Sequence, residues 1–149
     1  MIIRIQTEDF DVAQLNRELL AGRSDVGAIA SFIGLVRDIA GDPLRQMTLE
    51  HYPGMTESAL RGIAERAQQR WQIAGLGIIH RVGALRPADQ IVLVSVLSAH
   101  RGDAFNACQF IMDYLKTEAP FWKKEVSEQG EKWVESRASD AQARKKWED

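Results

Sequence analysis

Apolar and polar positions alternate in two different periods along this chain, and the changes of period divide it into elements. Ile2 to Gln6 reads as a first strand, and Asp11 to Leu20 as a short helix ending near Gly22. Val26 to Val36 is apolar with Gly27 and Gly34 inside it, which predicts a long strand with a bend or a close backbone approach. Turn residues mark Arg37 to Pro43 as a loop. From Gln46 to Tyr52, Met47 and Leu49 alternate with Thr48 and Glu50, the pattern of a strand. Pro53-Gly54 is a turn, after which Thr56 is the expected N-cap of a helix running to Trp71. Its apolar face carries Ala59, Leu60, Ile63, Ala64, Ala67 and Trp71.

Leu76 to Val82 is a further strand, and the run Ile91-Val-Leu-Val-Ser-Val-Leu97 reads as a buried one. Asp103 is the expected N-cap of the next helix. Ala104, Cys108, Ile111 and Leu115 fall at helical spacing, with Phe105 and Met112 widening the stripe. Pro120 lacks an N–H and biases Ala119 away from the α region, so the helix should stop soon after Lys116. Phe121 and Trp122 then anchor a strand, and Trp122 to Val134 predicts a hairpin turning near Gln129-Gly130. The polar segment Arg137 to Asp149 fits a short helix around Ala141 or a flexible tail from about residue 138. No repeat or linker divides the chain, so residues 1–149 are expected to form one domain. Periodicity says α+β or α/β and does not separate the two.

A chain of 149 residues can bury a core without staples. Hydrophobic residues at 45% and charged residues at 27% are ordinary for a soluble globular protein. The formal charge of -2 argues against a general nucleic-acid binder. No apolar stretch approaches the roughly 20 residues that cross a bilayer, and Met1-Ile-Ile-Arg-Ile-Gln lacks the layout of a signal peptide. A cytoplasmic protein is expected.

Against that acidic background, cations gather around one strand–helix–turn unit: His100, Arg101, Lys116, Lys123 and Lys124. His100 and Arg101 sit at a helix N-terminus, where backbone N–H groups and the dipole favour an anion. Lys116 lies at the other end, roughly 20 Å away at about 1.5 Å per residue. One ligand bridges both ends only if another segment or another subunit folds across the helix. Taken singly, each cation also suits a plain role, since lysines near a helix C-terminus complement its dipole.

Other chemistry is weakly marked. His51, His80 and His100 are far apart in sequence with no acidic residue at ligand spacing, so no metal site is expected. The glycines match neither phosphate-loop spacing, and Ser31, Ser95 and Ser98 lack a nucleophile-elbow context. The lone Cys108 excludes an internal disulfide. It falls on the apolar stripe and reads as an inert core residue.

Several segments together resemble the large, catalytic subunit of molybdopterin synthase, the MoaE family. They are Phe32-Ile-Gly-Leu-Val-Arg37, Leu49-Glu-His-Tyr-Pro-Gly-Met55, His80-Arg-Val-Gly83, Ser98-Ala-His-Arg101 and Met112-Asp-Tyr-Leu-Lys-Thr-Glu-Ala-Pro-Phe-Trp-Lys-Lys-Glu125. They stand in the family's order from Val26 to about Arg137. The loop Asp38 to Arg45 matches nothing closely, and Leu35 occupies a position that is polar in some relatives.

The resemblance implies an α+β fold of the α/β hammerhead type with an additional antiparallel β-sheet, in a homodimer. It implies a small ubiquitin-like sulfur-carrier subunit with a C-terminal Gly-Gly thiocarboxylate as partner, giving a heterotetramer. The implied activity is a sulfurtransferase step of molybdenum cofactor biosynthesis, moving two sulfurs to cyclic pyranopterin monophosphate to form the molybdopterin dithiolene. No cofactor is implied, and no exposed cysteine is needed, because the sulfur arrives on the partner's terminus. Carried over by motif, Lys116 and Lys123 are the catalytic pair. Arg37, His100, Arg101, Lys124 and Glu125 join them around the substrate, and Arg137 reaches a neighbouring subunit's pocket. A non-catalytic module that binds a phosphorylated metabolite or an acidic tail would use the same cations, and turnover separates the two.

Overall fold

A computed structural model describes residues 1–38, 44–127, 130–134 and 138–148. In chain order the elements are β1 (Ile2–Gln6), α1 (Val12–Leu20), β2 (Ala28–Leu35), β3 (Leu44–His51), α2 (Met55–Arg70) and β4 (Gly75–Arg81). They continue with β5 (Gly83–Leu85), β6 (Gln90–Ser98), α3 (Arg101–Glu118), β7 (Phe121–Ser127), β8 (Gly130–Val134) and α4 (Ala138–Lys145). Two four-stranded sheets result, in the orders β1-β4-β6-β2 and β5-β3-β7-β8. The chain therefore has the expected α+β class, with a second, antiparallel sheet added to the first.

β6 explains the first sheet. Its apolar run is buried because both of its faces are covered. Val92, Val94 and Val96 pack with Leu60, Ile63, Phe110 and Ile111 of α2 and α3. Leu93 and Leu97 pack with Leu15 and Leu19 of α1 on the other side. Each such side chain contributes about 1.5–3 kcal/mol on burial, so this strand sets the layering. β2 ends the sheet, antiparallel to β6 from Ala28↔Ser98 to Leu35↔Gln90 with a register shift at Gly34/Leu35. The close approach expected near its glycines is real at Gly27, where an added Cβ would run into the Ala99 carbonyl oxygen.

The second sheet has a separate small core of Val36, Met47, Leu49 and Leu85, joined to the first through Ile91. β5, which has only three residues, pairs with β3 from Met47↔Leu85 to Leu49↔Gly83. Nothing in its short sequence has a period, so it was not expected.

Several boundaries differ from expectation. The N-cap of α3 is His100, not Asp103. Asp103 sits in the first turn and its Oδ2 accepts from the Gln72 N–H at 3.2 Å. Phe105 points away from the core and is 66% exposed. α3 runs to Glu118, and Ala119 closes it in an extended conformation ahead of Pro120.

α2 starts at Met55 with Gly54 as its cap, whose N–H is accepted by the Glu57 carboxylate at 2.7 Å. Thr56 is thus inside the helix and fully buried. Its hydroxyl accepts from the Tyr52 N–H at 3.1 Å and donates to the Pro120 carbonyl at 3.1 Å. One hydroxyl therefore ties the start of α2 to the turn between α3 and β7.

The C-terminal segment forms α4, and Trp147 beyond it lies against α3. Its indole N–H donates to Asp113 Oδ2 at 2.6 Å, and its ring meets Trp71 and Phe110 edge-on at 5.5 and 5.6 Å.

Replacing Thr56 by Val keeps the shape and deletes the hydroxyl, removing the donor to the half-buried Pro120 carbonyl. Thr56→Val is expected to cost about 1–3 kcal/mol, read as a lower denaturant midpoint at an unchanged m-value. A midpoint equal to that of the parent would show the bond to be dispensable.

Candidate active site

The cations singled out in the sequence fall into two groups, separated by the length of α3. β6 leads through Ala99 and His100 into α3, which runs back over the sheet, so that the Cys108 thiol reaches the Val94 carbonyl at 3.8 Å. His100 and Arg101 open the helix and are exposed. His100 makes no side-chain capping bond, which leaves its imidazole for other work. Lys116 lies in the last turn and is exposed. Arg101 and Lys116 are therefore about 22 Å apart along the axis at 1.5 Å per residue.

β7 supplies the other lysines, and strand alternation sorts them. Lys123 is paired with Leu49 and Glu125 with Met47, both buried residues of β3, so Lys123 and Glu125 share the inner face of the sheet. Lys124 is paired with Thr48 and points to the opposite face, where its ammonium meets Glu131 at 2.8 Å. A pair this exposed is worth at most about 1 kcal/mol. Lys124 is thus turned away from Lys123. Arg37 is exposed and follows β2 at the Gln90 end of β6, the end where His80 pairs with Val92. Arg137 lies outside the described residues.

At the lysine end stands a further residue, His80, set aside in the sequence because it suggested no metal. β4 directs it to the same side as Ile78, toward α3, and it is 5% exposed. Its Nδ1 is 2.8 Å from the Arg81 carbonyl oxygen. A carbonyl only accepts, so Nδ1 carries the proton and donates. The ring stacks on Phe121 with centroids 3.8 Å apart and planes 16° from parallel. Burial, then the charges of Lys116, Lys123 and His51, push its pKa from 6.5 to about 4, against an opposing contribution from the Arg81 carbonyl. The imidazole is neutral at pH 7. His51 stands close by on β3, its ring 6.4 Å from Phe121 and its Nε2 3.7 Å from Glu57.

The charges of Lys116 on α3, Lys123 on β7 and His51 on β3 thus all bear on His80 of β4, whose ring stacks on Phe121 two positions before Lys123. His100 and Arg101 do not join them within one chain. The sequence signal for His80 was a single polar ring inside an otherwise apolar strand, within His80-Arg-Val-Gly83.

Cys108 is 7% exposed, and burial pushes its thiol up to about 11. A thiol held protonated in the core is a poor nucleophile. Among the described residues, no group of three or more His, Cys, Asp and Glu side chains is placed to hold a metal ion. No helix among them is long and apolar enough to cross a membrane.

The chain as a whole is similar to known proteins in sequence and in fold. The chain matches the MoaE protein family over residues 5–118. The molybdopterin synthase catalytic subunit of Ralstonia nicotianae is 58% identical over 146 residues, covering 97% of this chain and 83% of that protein. The solved molybdopterin biosynthesis MoaE protein of Burkholderia ambifaria superposes with a TM-score of 0.85 at 53% identity, over 98% of this chain and 97% of that one. Molybdopterin synthase from Staphylococcus aureus does so with a TM-score of 0.82 at 32% identity, over 87% and 94%. This chain belongs to the MoaE family.

His80 makes a pH prediction whose sign follows from its lowered pKa. Below 6.5 the unfolded chain binds a proton that the folded imidazole refuses until about pH 4. Stability from this group is full above pH 6.5 and is lost as pH falls toward 4, by about 3 kcal/mol in all. His80→Phe keeps the ring and removes the titration. The difference in unfolding free energy between parent and variant should therefore shrink on the parent's side as pH drops from 7 to 4. Parallel curves over that range would mean that His80 is not buried as a neutral group.

Proposed function

We propose that this chain is the catalytic subunit of a molybdopterin synthase. It takes two sulfurs from the thiocarboxylated C-terminus of a small ubiquitin-like subunit and places them on cyclic pyranopterin monophosphate, forming the dithiolene. The observation that carries this reading is that Lys116 closes α3 and Lys123 follows Phe121 on one face of β7, both with charges that bear on the buried His80, in a chain of this family.

The chemistry suits the residue types. The thiocarboxylate is an anion on a flexible tail, and a lysine is a mobile point charge that steers it and moves protons. As sulfur attacks the pterin side chain, negative charge develops where ammonium groups stabilise it. Glu125, on the same sheet face as Lys123, would add a carboxylate at the edge of the site. Cys108 takes no part, since the sulfur comes from the partner.

His100 and Arg101 would bind the substrate's phosphate at the N-terminus of α3. They stand a helix length from the lysines, so in this reading each substrate lies between the lysine end of one chain and the His100 end of another. A homodimer carrying two small subunits satisfies that requirement. An exposed apolar set at the β2 edge supports it: Ile29, Phe32 and Leu35 of β2 and Phe105 of α3 are 41–66% exposed. Arg37, at the lysine end, would meet the donor's tail or the pterin.

The deciding experiment mixes the chain with a thiocarboxylated small subunit and cyclic pyranopterin monophosphate and assays for dithiolene. Lys116→Ala and Lys123→Ala should each lower turnover by roughly 10²-fold or more while leaving the fold intact. Cys108→Ala should stay near the parent rate. Saturable binding without turnover in the parent would instead favour a metabolite-binding module. Fast labelling of native Cys108, with turnover lost in folded Cys108→Ala, would route the sulfur through this chain.

The shared site has its own test. Hybrids of Arg101→Ala and Lys116→Ala chains contain one interface with both residues intact, so mixing the two inactive proteins should recover up to about a quarter to a half of parental activity for a two-site dimer. No recovery in hybrids verified by mass spectrometry would place the site within one chain.

A further inference from the structure

His80 is a buried titratable group to which the resemblance assigns no role, and its surroundings give it one. Its ring is fixed from two sides. Phe121 covers one face at 3.8 Å, and the Arg81 carbonyl holds Nδ1–H at 2.8 Å. The anchor is itself rigid: the Arg81 guanidinium donates to the carbonyls of Thr7 and Gln90 at 3.0 and 3.1 Å. Arg81 also sits in the β1–β4 ladder opposite Gln6. With Nδ1 committed as donor, Nε2 is left with a lone pair and no proton. The charges that bear on this ring come from Lys116 of α3, Lys123 of β7 and His51 of β3. The Glu57 carboxylate of α2 lies beyond His51, and Arg81 is beside the ring on β4.

We propose that His80 is a positioning residue for the lysine pair, its Nε2 accepting an N–H from the Lys116–Lys123 cluster and fixing where the ammonium stands. A neutral acceptor suits that task better than a carboxylate. It orients the ammonium without neutralising the charge that the anionic sulfur donor must meet. The stack on Phe121 makes the acceptor rigid, and Phe121 lies two positions before Lys123 on the same strand face, so ring and lysine move as one unit.

This inference rests on the synthase reading, so the test has an arm that does not use turnover. Two variants are compared with the parent. His80→Phe keeps the ring on Phe121 and removes the acceptor. His80→Gln places an amide oxygen near the position of Nε2 and gives up the stack. In the unloaded full-length chain, labelling of Lys116 and Lys123 by an amine reagent, read by mass spectrometry against exposed Lys145, should rise severalfold in His80→Phe. It should return toward the parent rate in His80→Gln.

In the loaded enzyme, His80→Phe should lower kcat about tenfold with KM little changed. Folded His80→Phe with parental labelling and a parental kcat would overturn the proposal. So would a kcat loss that His80→Gln does not relieve while labelling stays constant, since that pattern belongs to packing alone. A parent without turnover would defeat the synthase reading, and the labelling arm would still decide the role of His80.

Discussion

The contact on which the lysine site depends is the stack of His80 on Phe121, because it is made across the two sheets. His80 belongs to β4 in the first, and Phe121 opens β7, an inner strand of the second. Lys116 and Lys123 stand on either side of Pro120, which breaks any helical continuity between them. Their meeting therefore comes from where β7 is held. Three constraints hold it: the ring stack, the Thr56 hydroxyl on the Pro120 carbonyl, and the ladder with β3 from His51↔Phe121 to Leu44↔Ser127. The ladder sets which face each side chain takes. The stack and the hydroxyl bond set how far the strand lies from the end of α3.

Electrostatics explains why the ring at that junction is an imidazole held neutral. Two like charges about 6 Å apart repel by about 3 kcal/mol at an effective dielectric near 20. A protonated His80 near the charges of Lys116 and Lys123 would add repulsion of this kind to the cost of its own burial. Keeping the proton on Nδ1 and the ring uncharged avoids both. The whole chain is slightly acidic, with a formal charge of -2, so the positive potential here is local. A local potential draws an anionic tail to one place without making the surface generally adhesive to polyanions.

Much of the fold was legible because long elements repeat their signal. β1 and β6 appear within a residue of where their apolar patterns put them, and the α3 stripe holds at Ala104, Cys108, Ile111 and Leu115. What was missed needed a partner distant in sequence. β5 is a strand only because β3 lies beside it. Asp103 has the right chemistry for a cap, yet the tight exit from β6 starts the helix at Arg101, and the carboxylate finds Gln72 instead. Phe105 fits a widened apolar stripe by spacing, but α3 meets the sheet along a narrower line and leaves it outside.

The candidate site divides the same way. The face of Lys124 follows from strand period alone, since neighbours on a strand point oppositely, and its place opposite Lys123 was available in the sequence. His80 was not, because its role is defined by Phe121, far along the chain.

The length of α3 is the remaining constraint, and it argues for assembly. The helix has 18 residues and is braced along its C-terminal half: Trp147 bonds Asp113, and Glu118 meets Arg144 at 3.6 Å. A helix held in this way does not bend to bring Arg101 toward Lys116. A pterin monophosphate is shorter than the roughly 22 Å between them. On the synthase reading, one chain therefore offers two half-sites at a fixed separation, an anion-binding end and a sulfur-accepting end. In that reading a partner copy would supply the missing half to each, and the rigidity that keeps the two groups of cations apart within a subunit would set their register across the interface.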